Sequence, residues 1–249
     1  MKPIGIVSAL AAEARTLGPA ARQGAELRRL ADGALLAVSG MGGPAAAAAA
    51  RRLVLAGATA LVSFGMAGAL DPTLSCGAVL LPEEVTAWNG ASDESGASVT
   101  SPEWRRRLIA ALPVSCLVCG GKLLTGEQPI GHADAKAAAW RKTGAAAVDM
   151  ESASVAQVAA QAGLPFIALR VVVDTASDEL PSAVIAASGG GELRIGRLVA
   201  GLLRAPADVG ALIRLSARYR IACRVLATLA QPDSAARRAL IGGPGGETA

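Results

Sequence analysis

Apolar and polar positions alternate along this chain in short blocks, and the clearest block runs from Ala147 to Asp178, AVDMESASVAQVAAQAGLPFIALRVVVDTASD. From Ser152 to Ala162 the small apolar residues are nearly continuous, which predicts a helix buried on most sides. Gly163, Leu164 and Pro165 end it, with glycine at a C′ position and proline just beyond. Phe166 to Val173 is an apolar run broken only by Arg170, the pattern of a central parallel strand covered on both faces. Asp174 stands where that strand emerges, and in open α/β sheets ligands bind at the carboxyl ends of strands. Asp149 and Glu151 sit in the lead-in to the helix.

The same pattern predicts further strands over 3–8, 33–39, 60–64, 77–81 and 114–124, and helices over 11–17, 45–56, 102–111 and 133–142. The Ser-, Gly- and Asp-rich stretch 88–101 reads as an exposed loop. Such alternation predicts an α/β fold: one domain with a mixed, mostly parallel twisted sheet wrapped by helices. That domain is expected over 1–203, a basic helical extension packed on or beside it over 204–231, and a flexible tail over 232–249.

Composition narrows this picture. With 52% hydrophobic but only 2% aromatic residues, the core must be built from closely packed Ala, Val and Leu. No apolar run reaches the ~18 residues needed to span a bilayer. The opening MKPIGIVSALAAEA has the look of a leader, but Gly5 to Leu10 reads better as a first strand, with Glu13 and Arg15 following at once. A cytoplasmic protein without a targeting segment is expected. Cys116 and Cys119 form a CxxC on a predicted strand, where their side chains face opposite sides; with His132 the sole histidine, structural thiols are expected and neither metal nor cofactor.

Charge is uneven. Between Glu192 and Arg238 stand nine arginines (194, 197, 204, 214, 218, 220, 224, 237 and 238) against three carboxylates, a net +6 where the whole chain carries +4. Leu198, Leu202, Leu212, Ile213, Leu215 and Ile221 recur between them at helical spacing. Two accounts fit: helices packed on the sheet with a solvated basic face, or helices resting on an anionic membrane. Nucleic acid is not an expected partner.

The unusual residues gather at strand ends: Glu13, the glycine-rich SGMGGP (Ser39 to Pro44) and GMAGAL (Gly65 to Leu70), and Asp174. Each has a plain account. SGMGG lacks the spacing and the lysine of a phosphate loop, and serves as a tight turn. Glu13 suits the start of a helix, where the dipole favours a carboxylate. Asp174 is hardest to dismiss, because a carboxylate ending a buried apolar strand tends to a perturbed pKa.

Taken together, VDMESASVAQVAAQAGLPFIALRVVVDTAS resembles the signature of the nucleoside phosphorylase superfamily, in particular the methylthioadenosine/S-adenosylhomocysteine nucleosidases. GIVSALAAE at Gly5 to Glu13 is similar to their opening strand and its glutamate, and SGMGGPAAA and FGMAGALDP to their two glycine turns. The resemblance runs from about Pro3 to Leu203. SFGMAGALDP, AVDMESAS, GLPFIALRVVVD and LLRAPADVGALIRL look closer still to the hopanoid-associated phosphorylases, whose assigned reaction removes adenine from adenosylhopane.

The resemblance implies a nucleoside phosphorylase-like fold and cleavage of the N-glycosidic bond of a 5′-modified adenosine. By it, Asp174 is the general acid at adenine N7, in an apolar setting that raises its pKa, and Glu13 the base that activates water. Glu151 holds the ribose hydroxyls, Met150 packs under the sugar, Ala67 and Gly68 offer a close backbone, and Val148 and Ile130 touch the purine. It also implies a homodimer. Departures are Val173 for a serine before the acid, Met66 for a hydroxyl in the second glycine turn, and Pro129 where an aromatic covers the base. Met66 and Phe64 point to a greasier pocket than methylthioribose needs, one for a bulky 5′ group such as that of adenosylhopane. The place of the phosphorylases' arginine holds Ser63, so hydrolysis is favoured over phosphorolysis. Methylthioadenosine/S-adenosylhomocysteine cleavage is the alternative. A non-catalytic nucleoside binder conflicts with the intact Glu13, Glu151 and Asp174, and a dinucleotide-binding dehydrogenase with the missing GxGxxG.

Overall fold

The computed structural model describes residues 3–19, 23–24, 26–90, 93–181, 184–185 and 208–245. Among these residues eleven strands form one sheet: β1 (Gly5–Ser8), β2 (Leu27–Arg29), β3 (Leu35–Val38), β4 (Leu61–Ala69), β5 (Val79–Leu80), β6 (Glu84–Trp88), β7 (Asp93–Val99), β8 (Val118–Cys119), β9 (Lys122–Gly126), β10 (Ala147–Asp149) and β11 (Phe166–Asp174). Around it lie α1 (Ala11–Leu17), α2 (Gly43–Leu55), α3 (Pro102–Ala111), α4 (Ala133–Thr143), α5 (Ser152–Gln161), α6 (Asp208–Leu229) and α7 (Ala235–Ile241). The main path runs β2-β3-β1-β4-β10-β9-β6-β7, and β11, β5 and β8 branch from β4. Six of the ten strand pairings are parallel, so the mixed, mostly parallel α/β sheet is as expected.

β4 is the junction. Its first residues pair β1, Leu61 to Gly68 pair β11, and its end pairs β10 in antiparallel sense. Alternating side chains along these strands feed two cores. Ile6, Val62, Phe64, Ile167 and Leu169 pack under Trp104, Leu108, Leu226 and Leu240, while Val7, Leu61 and Ala168 pack under the alanine-rich faces of α2 and α5. With Ala46, Ala49, Ala50, Ala156 and Ala159 buried between them, those helices lie close to the sheet without aromatic bulk.

Several expectations are corrected. GMAGAL is not a turn: β4 continues through Ala69, because β11 and β10 both offer it a ladder. The predicted loop 88–101 holds β7, an edge strand on β6 whose polar composition hides its pairing. The predicted strand 114–124 is two strands with different partners, separated at Gly120–Gly121, and Cys116 lies outside both. All four cysteines are free, half-buried thiols. The expected tail from 232 contains α7, tied down by buried Leu240 and by Arg237 Nε donating to Asp32 Oδ2 at 2.7 Å. β2, β6 and β10 are strands that the pattern did not single out. Arg194, Arg197, Arg204, Glu192, Leu198 and Leu202 lie outside the described residues. Among the described residues no helix is long and apolar enough to cross a membrane.

Candidate active site

The carboxyl ends of β4, β10 and β11 and the start of α1 surround a pocket of about 240 Å³. Glu13, Met66, Ala67, Gly68, Ile130, Val148, Met150, Glu151 and Asp174 all line it, whereas Phe64, expected to make the pocket greasier, is buried in the core because it lies further back along β4, away from the strand's carboxyl end. Residues some 160 positions apart meet there because β4 and β11 run parallel, with Asp174 beside Gly68. A Cβ at Gly68 would stand 3.1 Å from both Asp174 carboxyl oxygens, so the bare backbone lets that acid reach into the pocket.

Glu13 is buried, and its carboxylate is bonded from both sides. Oε2 accepts from the Leu10 N–H at 3.0 Å and from Ser8 Oγ at 3.2 Å, and Oε1 accepts from the Met66 N–H at 3.0 Å. The helix-start account of Glu13 therefore holds in part, since it bonds the backbone of its own first turn. Burial nonetheless pushes its pKa up, with Arg170 and these hydrogen bonds pulling back.

Beneath it, Arg170 organises the floor. This single break in the apolar run of β11 is buried, and its Nε donates to Asp149 Oδ2 at 2.8 Å while Nη2 donates to Ser63 Oγ at 2.7 Å and Ser152 Oγ at 3.0 Å. Asp149 also accepts from Thr125 Oγ1 at 2.7 Å and from the Ser152 N–H at the start of α5. Gly65 passes over this assembly so closely that a Cβ would lie 2.6 Å from Arg170 Nη1 and 2.8 Å from Glu13 Oε1. Glu151 accepts from the Gly42 N–H at 2.8 Å and stands 3.8 Å from Arg170 Nη2. Burial and the charge of Asp149 push the Glu151 pKa up to about 7, against the pull of Arg170. The glycine-rich SGMGGP thus has a definite task here: its backbone holds Glu151.

Asp174 is buried too, but not in the purely apolar setting that the sequence suggests. Lys136 of α4, wholly buried, donates to Asp174 Oδ2 and also to the carbonyls of Thr175 at 2.9 Å and Asp178 at 3.0 Å. Sequence reasoning missed Lys136 because in AKAAAWRKT it looks like any solvated helix lysine. Asp149 was noted without a partner, and Arg170 only as an interruption. The rim is formed by Met41, Pro129, Val173, Leu180, Val184 and, from α6, Leu215 and Tyr219. Tyr219, the chain's one tyrosine, is an aromatic in the lining, and burial raises its pKa. Among the described residues, none that lines the pocket is Arg or Lys.

The phosphorylase superfamily matches residues 6–204 of this sequence. No curated protein matches it. Among solved structures it resembles the 5′-methylthioadenosine/S-adenosylhomocysteine nucleosidase of Neisseria meningitidis in complex with methylthio-immucillin-A, at 19% identity and TM-score 0.66 over 91% of this chain and 97% of the other. The S-adenosylhomocysteine nucleosidase of Streptococcus pyogenes is similar at 20% identity and TM-score 0.65, over 91% and 95%. The futalosine hydrolase of Helicobacter pylori follows at 20% and 0.61, over 87% and 97%. At such identities the likeness is one of fold.

Proposed function

This chain belongs to the phosphorylase superfamily, a family of glycosyl-bond-cleaving nucleosidases and phosphorylases, and on that premise we propose that it hydrolyses the N-glycosidic bond of a 5′-modified adenosine, releasing adenine. The observation that carries the reading is the single pocket in which Glu13, Glu151 and Asp174 meet. As the bond from C1′ to N9 breaks, its electron pair passes to the purine and Asp174 gives a proton to N7. Glu13 takes a proton from the water that attacks C1′, and its raised pKa suits a base. Glu151 accepts from the ribose hydroxyls, Met150 lies under the sugar, and Ile130, Val148 and the Ala67–Gly68 backbone flank the purine. Of three similar structures, two are by name nucleosidases and one a futalosine hydrolase, which supports the class.

Water is favoured over phosphate because Glu13, Asp149, Glu151 and Asp174 all line the pocket and, among the described residues, no lysine or arginine does, so a phosphate dianion would meet carboxylates there. For the 5′ group, the rim of Met41, Met66, Val173, Leu180, Val184 and Leu215 suits a bulky apolar substituent, and adenosylhopane is the substrate proposed. The enzyme is then cytoplasmic and homodimeric. Peripheral attachment to an anionic inner-membrane surface draws support from α6, where Arg214, Arg220 and Arg224 are exposed beside exposed Ile213 and Ile221. Arg218 and Arg237 are engaged instead with Asp178 and Asp32. Adenine release should be assayed on adenosylhopane, methylthioadenosine and S-adenosylhomocysteine, with and without phosphate. Release that needs phosphate and yields ribose 1-phosphate compounds would overturn hydrolysis, and release only from the two small substrates would overturn the hopane assignment. Cosedimentation with anionic vesicles across a salt series tests the membrane.

A further inference from the structure

Lys136 is fully buried and outside the pocket lining, yet its ammonium touches Asp174, which is in it. The three N–H donors of a lysine meet three acceptors here: Asp174 Oδ2 and the carbonyls of Thr175 and Asp178. Two of these belong to the backbone just after β11, so the ammonium is fixed relative to the strand end by groups other than Asp174. An ammonium is costly to desolvate, and an apolar residue on the inward face of α4 would fill the space without that penalty. The charge itself therefore calls for a use. Val173, the residue before Asp174, has no hydrogen-bonding side chain to orient the acid.

We propose that Lys136 is a positioning residue for proton delivery by Asp174, an inference that rests on the adenine-cleaving reading above. Holding Oδ2, it leaves Oδ1 to present its proton to the purine. When the C1′–N9 electron pair moves to the base and N7 takes that proton, Asp174 becomes a carboxylate already bonded to an ammonium that has kept all its protons. A proton from solvent then restores the acid.

The test is to separate leaving groups that need a proton from those that do not. Wild type, Lys136→Met and Lys136→Gln are compared on 5′-methylthioadenosine and on 4-nitrophenyl β-D-riboside, whose phenolate leaves unprotonated. Because general acid catalysis contributes about 10²–10⁴ in rate, loss of its positioning residue should lower kcat on the nucleoside by about 10–10², with KM changed less than about threefold. On the nitrophenyl riboside the variants should stay within about threefold of wild type. Lys136→Gln keeps a donor without the charge, and carries the same comparison if the Met variant does not fold. Equal losses on both leaving groups, or an unchanged kcat on the nucleoside in a folded variant, would overturn the role of Lys136 and leave the nucleosidase reading intact. A wild type that releases no adenine from any nucleoside would overturn both.

Discussion

The floor and the rim of the pocket are built on different principles. The floor consists of Glu13, Glu151 and Asp174, all buried, each held by named hydrogen bonds and all anchored on the central sheet or on the first turns beside it. The rim consists largely of apolar side chains, among them Met41, Leu180, Val184 and Leu215, which carry no hydrogen-bonding group into the pocket. Hydrogen bonds in a dry site fix atoms within a few tenths of an ångström, as proton transfer demands. Apolar contacts discriminate by volume, and weakly. On the proposed reaction, the floor would fix the chemistry and the rim would select the substrate.

The strongest way to break that comparison is Asp174→Asn. The isostere keeps the shape and removes the proton to be delivered, so kcat on any adenine nucleoside should fall about 10²–10⁴-fold in protein that is still folded, as checked by circular dichroism. Near-full activity would remove Asp174 from the chemistry. Next comes Arg170→Met. It leaves Asp149 buried without its partner beneath Glu13 and Glu151, and breaking such a pair destabilises by roughly 3–5 kcal/mol. Chemical denaturation measures this, and a loss under ~1 kcal/mol would mean that the floor does not depend on Arg170.

The same division explains what the sequence makes legible. The floor could be read because its residues lie within short motifs next to apolar runs: Glu13 after β1, Gly68 within FGMAGALDP, and Asp174 ending β11. Lys136 could not be read, since its contact depends on α4 being laid against the end of β11, which no spacing within α4 encodes. Arg170 announced itself as a charge in an apolar strand, but its partners Asp149, Ser63 and Ser152 come from three other elements. The edge strand β7 stayed hidden because a solvated edge has no apolar alternation to show.

A subtler mark of the floor is the pH dependence of stability. Glu151 has its pKa raised from 4.5 to about 7, first by burial and then by Asp149. Between those values the folded protein binds more protons than the unfolded chain, so stability falls as pH rises through that window. Glu13, also raised, acts in the same direction. Stability should decline from pH 5 to pH 8 by an amount on the order of 2 kcal/mol attributable to Glu151, and Glu151→Gln should flatten the decline. A melting-temperature series at constant ionic strength reads this, and parallel curves for the two proteins would contradict it.

The smallest effect belongs to the rim, and it is the one that bears on the 5′ group. Leu215 projects from α6 into the pocket lining, with no hydrogen-bonding part in the floor. Shortening it by Leu215→Ala removes apolar contact that a long 5′ substituent would use and that a methylthio group would not reach. A few methylene-sized contacts are worth about 1–3 kcal/mol, so kcat/KM for a long 5′-alkylthioadenosine should drop about tenfold while that for methylthioadenosine stays within about twofold. The ratio of the two constants cancels any general loss of fold. If the ratio does not move, the apolar rim is packing for α6 and no part of substrate selection, and the proposed bulky 5′ group loses its structural support. If it moves as expected, the rim sets selectivity without touching the chemistry, because every group that transfers a proton lies on the floor.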